Sequence, residues 1–109
     1  MKHSYFAKIV GFALLILPFC AYALDLDRYV GYQIIYSGTV TGYIDEDGKE
    51  QDDFEGCEYD RVLIIDYSKA ITCTEYSYSY SYHPEIVILS NGSLAVAIID
   101  NDIYSIRLN

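Results

Sequence analysis

The chain has 109 residues, 16 of them acidic against 7 basic, and a formal net charge of −9 at pH 7. An anionic excess of this size repels phosphate backbones and anionic lipid surfaces, which argues against nucleic-acid binding. With one histidine beyond residue 23 and length for one small core, there is little material for zinc or acid–base catalysis.

In chain order, the first 23 residues have the parts of an export signal. Lys2 and Lys8 form a basic start, and Ile9 to Phe19 is an apolar run too short to span a bilayer. Pro18 breaks the helix, and Ala21 and Ala23 offer small side chains at the −3 and −1 positions of a cleavage site. The expectation is a signal-peptide helix over 1–23 and a single small domain over 24–109, exported to a periplasm or the cell exterior. No membrane span remains after cleavage. A lipoprotein reading on Cys20 is weaker, because bulky Phe19 precedes the cysteine.

All the acids lie beyond this cut, against Arg28, Lys49, Arg61, Lys69 and Arg107 as the only bases there. The natural complement is a basic protein, although acidity also serves plain solubility. Cys57 and Cys73 are then the only cysteines. An even pair in a small exported domain reads as a disulfide, contributing roughly 3 kcal/mol by loop-closure entropy.

Period-two alternation runs through most of the remaining chain. From Tyr29 to Ile44, one face carries Val30, Tyr32, Ile34, Tyr36, Val40 and Ile44, with Gly31, Gly38 and Gly42 marking bends or bulges. Asp47-Gly48 is a hairpin signal that folds the polar arm Lys49–Phe54 back as a ragged strand or loop. Arg61 to Ile65, with Val62, Leu63, Ile64 and Ile65 in succession, is dense enough to be a central strand buried on both faces, and residues 66–69 are its turn. Ala70 to Tyr82 reads as one strand ended by His83-Pro84. Asn91-Gly92 joins the strands 85–89 and 93–99, and is read as a turn although Asn91-Gly92-Ser93 also fits a glycosylation acceptor. Asp100-Asn101-Asp102 turns into a last strand over 103–108. The fold expected is all-β: a meander of six to seven short strands closed into a small antiparallel barrel, SH3-like or OB-like, or a compact sandwich.

Two features stand out as candidate sites. Tyr76, Tyr78, Tyr80 and Tyr82 alternate with Ser77, Ser79 and Ser81, a ladder spaced by about 6.5–7 Å on a strand. Either these rings line the core, or they form an exposed aromatic platform for cations, rings or sugars. Ile71 and Cys73 share the serine phase, so if those two face the core, the tyrosines face out. The second feature is the run Asp45, Glu46, Asp47, Glu50, Asp52, Asp53, Glu55, Glu58 and Asp60. With Gly48 as the sixth residue of an EF-hand loop, Tyr43 and Phe54 occupy its first and twelfth positions, so that template fails. A solvated loop, a looser calcium site and an acidic docking patch remain as readings.

The function expected is a non-enzymatic binding module of inhibitor or immunity type, without cofactor. It would use Tyr78, Tyr80 and Tyr82 with Asp52, Asp53 and Glu55 against a basic protein. The alternatives are an envelope-associated structural protein with the tyrosines in its core, and a glycan-binding module.

Overall fold

The computed structural model describes residues 26–109, so the expected signal peptide over 1–23 lies outside the described residues. The chain divides into two units at Val30/Gly31. The described part of the first carries one 3-10 turn, Asp27–Tyr29.

The second unit, Gly31–Asn109, is a closed antiparallel barrel. Its strands are β1 (Gln33–Ile44), β2 (Glu50–Gln51), β3 (Val62–Ile65), β4 (Lys69–Cys73), β5 (Glu85–Ser90), β6 (Ala95–Ile99) and β7 (Asp102–Leu108). They lie in the order β2-β1-β3-β4-β7-β6-β5, and β1 also pairs with β5, which closes the ring and leaves β2 as a short addition. That closure decides for the barrel over the sandwich, and it removes the long open edges that invite aggregation.

The connectivity is not the simple meander expected. β7, not β5, lies beside β4, because the crossover Thr74–Pro84 carries the chain across the barrel before β5, β6 and β7 follow as hairpins. This is a Greek-key connection.

Besides the short β2, β1 serves two ring partners. Gln33–Thr39 pairs with β5, and Val40–Tyr43 pairs with β3. Irregularities at Ile34/Tyr36 and Val40/Gly42 shift the register, as bulges do where a strand turns a barrel corner. They also overturn the single-face reading of residues 30–44. Ile34 stays 68% exposed, while Val40 and Tyr43 turn inward. β3 likewise is not buried on both faces: Leu63 and Ile65 point in, and Val62 and Ile64 are half-exposed.

The turns explain the punctuation. Asp66-Tyr67 and Asp100-Asn101 both take positive φ at two successive residues, the type I′ geometry that matches strand twist. Gly48 instead closes a three-residue loop, with φ +79 and its N–H on the Asp45 carbonyl at 3.0 Å. Asn91 opens a longer loop whose Ser93 and Leu94 N–H groups donate to its own side-chain oxygen.

The core gathers Val40, Leu63, Ile65, Ile86, Ile99 and Tyr104. The Cys57–Cys73 disulfide is formed. It ties the segment after β2 to the end of β4, both cysteines being buried.

Candidate functional site

β4 stops at Cys73, nine residues before the expected end at Tyr82. The last rung toward β7 is the Thr74 N–H on the Ser105 carbonyl, at 3.0 Å. Beyond it the chain changes partners. Ser77 exchanges two backbone hydrogen bonds with Cys57 (2.8 and 2.9 Å), and Ser81 exchanges two with Phe54 (2.9 Å each). The physical reason lies in the residue types: Ser77, Ser79 and Ser81 bring no apolar bulk to bury in a sheet layer. Their small side chains let the crossover lie close on the 54–57 segment.

Gly56 makes that approach feasible. It is buried at φ +83, and a β-carbon there would overlap the Ser77 carbonyl oxygen. Only glycine combines this backbone with this proximity.

With Ile71 and Cys73 buried, the tyrosines face outward. Tyr76, Tyr78, Tyr80 and Tyr82 are 62%, 67%, 59% and 64% exposed. The reading that these rings line the core is therefore overturned. At the far end, Tyr82 stacks on His83 with ring centres 4.0 Å apart, and Tyr67 meets the same imidazole edge-on at 6.3 Å. His83 takes φ +48 and brings Nε2 to 3.0 Å from the Asp52 carbonyl. It pins the end of the crossover to the Asp52 carbonyl, where the sequence showed only a strand ending before Pro84.

The acidic segment lies alongside. Asp52 is exposed, Asp53 and Glu55 are half-buried, and Phe54 between them is fully buried. The structure thus brings the segment bearing all three candidate carboxylates against the segment bearing all three candidate tyrosines. The backbone pairs at Phe54–Ser81 and Cys57–Ser77 do this.

Arg61 was not singled out from sequence, and it organises the ground beneath. Its guanidinium lies 4.4 Å over the Tyr43 ring, donates to the Gly56 carbonyl at 3.2 Å and pairs with Glu58 at 3.2 Å. The Tyr43 hydroxyl donates to Glu55. That bond first, then burial, pushes the Tyr43 pKa from 10.0 up to about 12, against the opposing pull of Arg61. A depression of about 110 Å³ opens between this group and the rings of Tyr76 and Tyr78. The signal available in sequence was a lone base closing an acid-rich run.

A raised phenol pKa means that the protonated form is favoured by folding. Its contribution is complete below pH 10 and is lost as pH rises toward 12. Urea midpoints measured from pH 9 upward are expected to fall across this window, and Tyr43→Phe is expected to flatten the fall. An unchanged slope in the variant would remove Tyr43 from the account.

In the acidic loop, the carboxylate of Asp45 accepts from the N–H groups of Lys49 (2.8 Å) and Asp47 (2.9 Å) and from Gln51 Nε2 (2.8 Å). These bonds, the Lys49 N–H foremost, hold its pKa below the ordinary carboxylate value. Asp45 thus shapes the turn. Among the described residues, no three His, Cys, Asp or Glu side chains converge to hold a metal ion.

No helix among the described residues is long and apolar enough to cross a membrane. Comparison with known proteins finds no matching family model, no matching curated protein and no matching solved structure.

Proposed function

We propose that this chain is an exported, non-enzymatic binding module that docks a basic protein surface on the tyrosine crossover. The observation that carries the reading is the exposure of four tyrosines in a row on a segment fixed by paired backbone hydrogen bonds. Contiguous exposed aromatic surface on a small protein marks an interaction site. Tyrosine gives contact area at low entropic cost and receives Lys or Arg on its ring face. The neighbouring carboxylates and the overall charge steer a cationic partner toward that face. Export with cleavage after Ala23 places the module in the oxidising space its disulfide requires, and an inhibitor or immunity role suits a compact acidic domain facing a basic enzyme.

The test is affinity capture from envelope or secreted extract, using the disulfide-bonded chain beside Tyr78→Ser/Tyr80→Ser. Exposed substitutions of this kind leave stability within about 0.5 kcal/mol each. The variant is therefore expected to melt like the wild type while losing a basic partner, and wild-type capture is expected to weaken as salt screens the field. Equal retention by both forms would sink the reading. Retention of a glycan, indifferent to salt, would transfer the ladder to sugar binding.

A further inference from the structure

The crossover is paired along one edge only. In an extended chain the N–H and C=O of alternate residues point to opposite edges. Here residues 77 and 81 bond to Cys57 and Phe54, and a β-carbon on Gly56 would overlap the Ser79 nitrogen between them, so the odd residues face the inner edge. The even residues Tyr76, Tyr78, Tyr80 and Tyr82 then present their backbone groups to the outer edge. Among the described residues none of those groups has a hydrogen-bond partner. The outer edge is paired only at its start, where Thr74 meets Ser105. β4 pairs with β7 only over Ile71–Cys73, so no ladder continues along the crossover. In a barrel that closes every other long edge, one open edge persists, and it lies beside the tyrosine rings.

We infer that the outer edge of residues 75–82 takes up an extended, Lys/Arg-bearing segment of the partner as an added strand. This deepens the docking reading above and rests on it. An unpaired edge is a template for one more strand, and main-chain hydrogen bonds supply affinity in such additions. The incoming side chains alternate with the same period as the tyrosines, so every second residue of the segment lies on the ring side of the ribbon. A cation at those positions meets ring faces, with Glu55 and Glu58 of the neighbouring segment beside Tyr76 and Tyr78. Charge also selects the occupant. Beyond Ala23 the chain carries a formal charge of 5 − 16 = −11, so a second copy would bring like charge against like charge, whereas a basic segment is attracted.

The experiment uses the disulfide-bonded chain and a synthetic peptide of alternating arginine and threonine, about as long as the 75–82 edge. Backbone amide exchange is followed with and without the peptide. The amides of Tyr78 and Tyr80 are expected to exchange fast in the free chain and to slow by about tenfold or more on binding. Two variants isolate the main chain. Tyr80→Ala and Tyr80→Pro both lose the ring, but only proline loses the outer-edge donor, and it touches no existing hydrogen bond. Tyr80→Pro is expected to bind roughly fivefold to tenfold weaker than Tyr80→Ala.

If the peptide binds while the amides stay unprotected and the two variants bind alike, docking is by side chains alone. The added strand is then overturned and the basic-partner reading stands. If the peptide fails to bind while a folded basic protein still requires Tyr78 and Tyr80, the added strand is overturned in the same way. If neither binds, the docking reading falls and takes this inference with it. Concentration-dependent protection of these amides without peptide would assign the edge to a second copy and overturn the basic occupant.

Discussion

Replacing Phe54 with alanine is expected to destabilise the barrel by about 3–5 kcal/mol, the usual cost of truncating a buried phenylalanine. Phe54 is 0% exposed and meets Tyr104 edge-to-face, with ring centres 5.8 Å apart at 85°. Its own N–H and C=O bond to Ser81. Tyr104 is buried too, and burial raises its phenol pKa, offset in part by the Ser79 side chain above it. The ring of Phe54 therefore joins the core to the crossover. Its loss leaves a void at the point where the crossover rests. Urea denaturation of Phe54→Ala and Phe54→Leu gives the measurement. The leucine form, which keeps most of the volume, is expected to lose less than about 1.5 kcal/mol. A loss below that figure in the alanine form would show that the crossover is held without this anchor.

Phe54 also marks the limit of what the sequence revealed. It sits in the stretch Asp52-Asp53-Phe54-Glu55, where no alternation exists to announce burial, so the arm read as a ragged strand or loop with no core residue. The reason it is buried is tertiary: residues from position 54 to 57 pair with the crossover, not with a neighbour in sequence. A lone aromatic inside a run of acids was the available hint. The two strands flanking Asn91-Gly92 were legible as elements, but no inward face was assigned to either, and β6 is buried at four of its five residues. The face read for β1 failed, because two bulges move Ile34 out and Tyr43 in. The disulfide was legible from the even pair of cysteines left beyond residue 23, and the Asp66 and Asp100 turns from composition.

The tyrosine ladder was legible in phase but not in context. The shared phase of Ile71 and Cys73 tied the side of the rings to theirs but left open which side is inward, and the structure has both buried with the rings outside. That the strand would end at Cys73 could not be read, because alternation continues unbroken to Tyr82. Periodicity reports an extended chain, and it does not report which neighbour accepts its hydrogen bonds. Arg61 was hidden for a related reason. Its value comes from Tyr43, Gly56 and Glu58 converging on it.

Replacing both Cys57 and Cys73 with serine is expected to cost roughly 3 kcal/mol through the freed loop of the unfolded chain. For a domain of this size that lowers Tm by roughly 12–24 °C. The loss is not expected to be uniform. The barrel ring is held by strand pairs that do not involve Cys57, whereas the crossover depends on four hydrogen bonds to a two-point support at Phe54 and Cys57. Below the melting temperature, the amides of Ser77 and Ser81 should therefore lose exchange protection well before those of Ile86 and Ala97. Binding through Tyr78 and Tyr80 should weaken while the barrel remains folded, since an ordered segment that becomes mobile must be re-ordered on docking. A variant melting within about 2 °C of the wild type would show that the bond constrains little. A uniform loss of protection would mean that the crossover is part of the barrel's cooperative unit. In that case the tyrosines are presented for as long as the core survives, and the disulfide stabilises the whole domain instead of setting the docking edge.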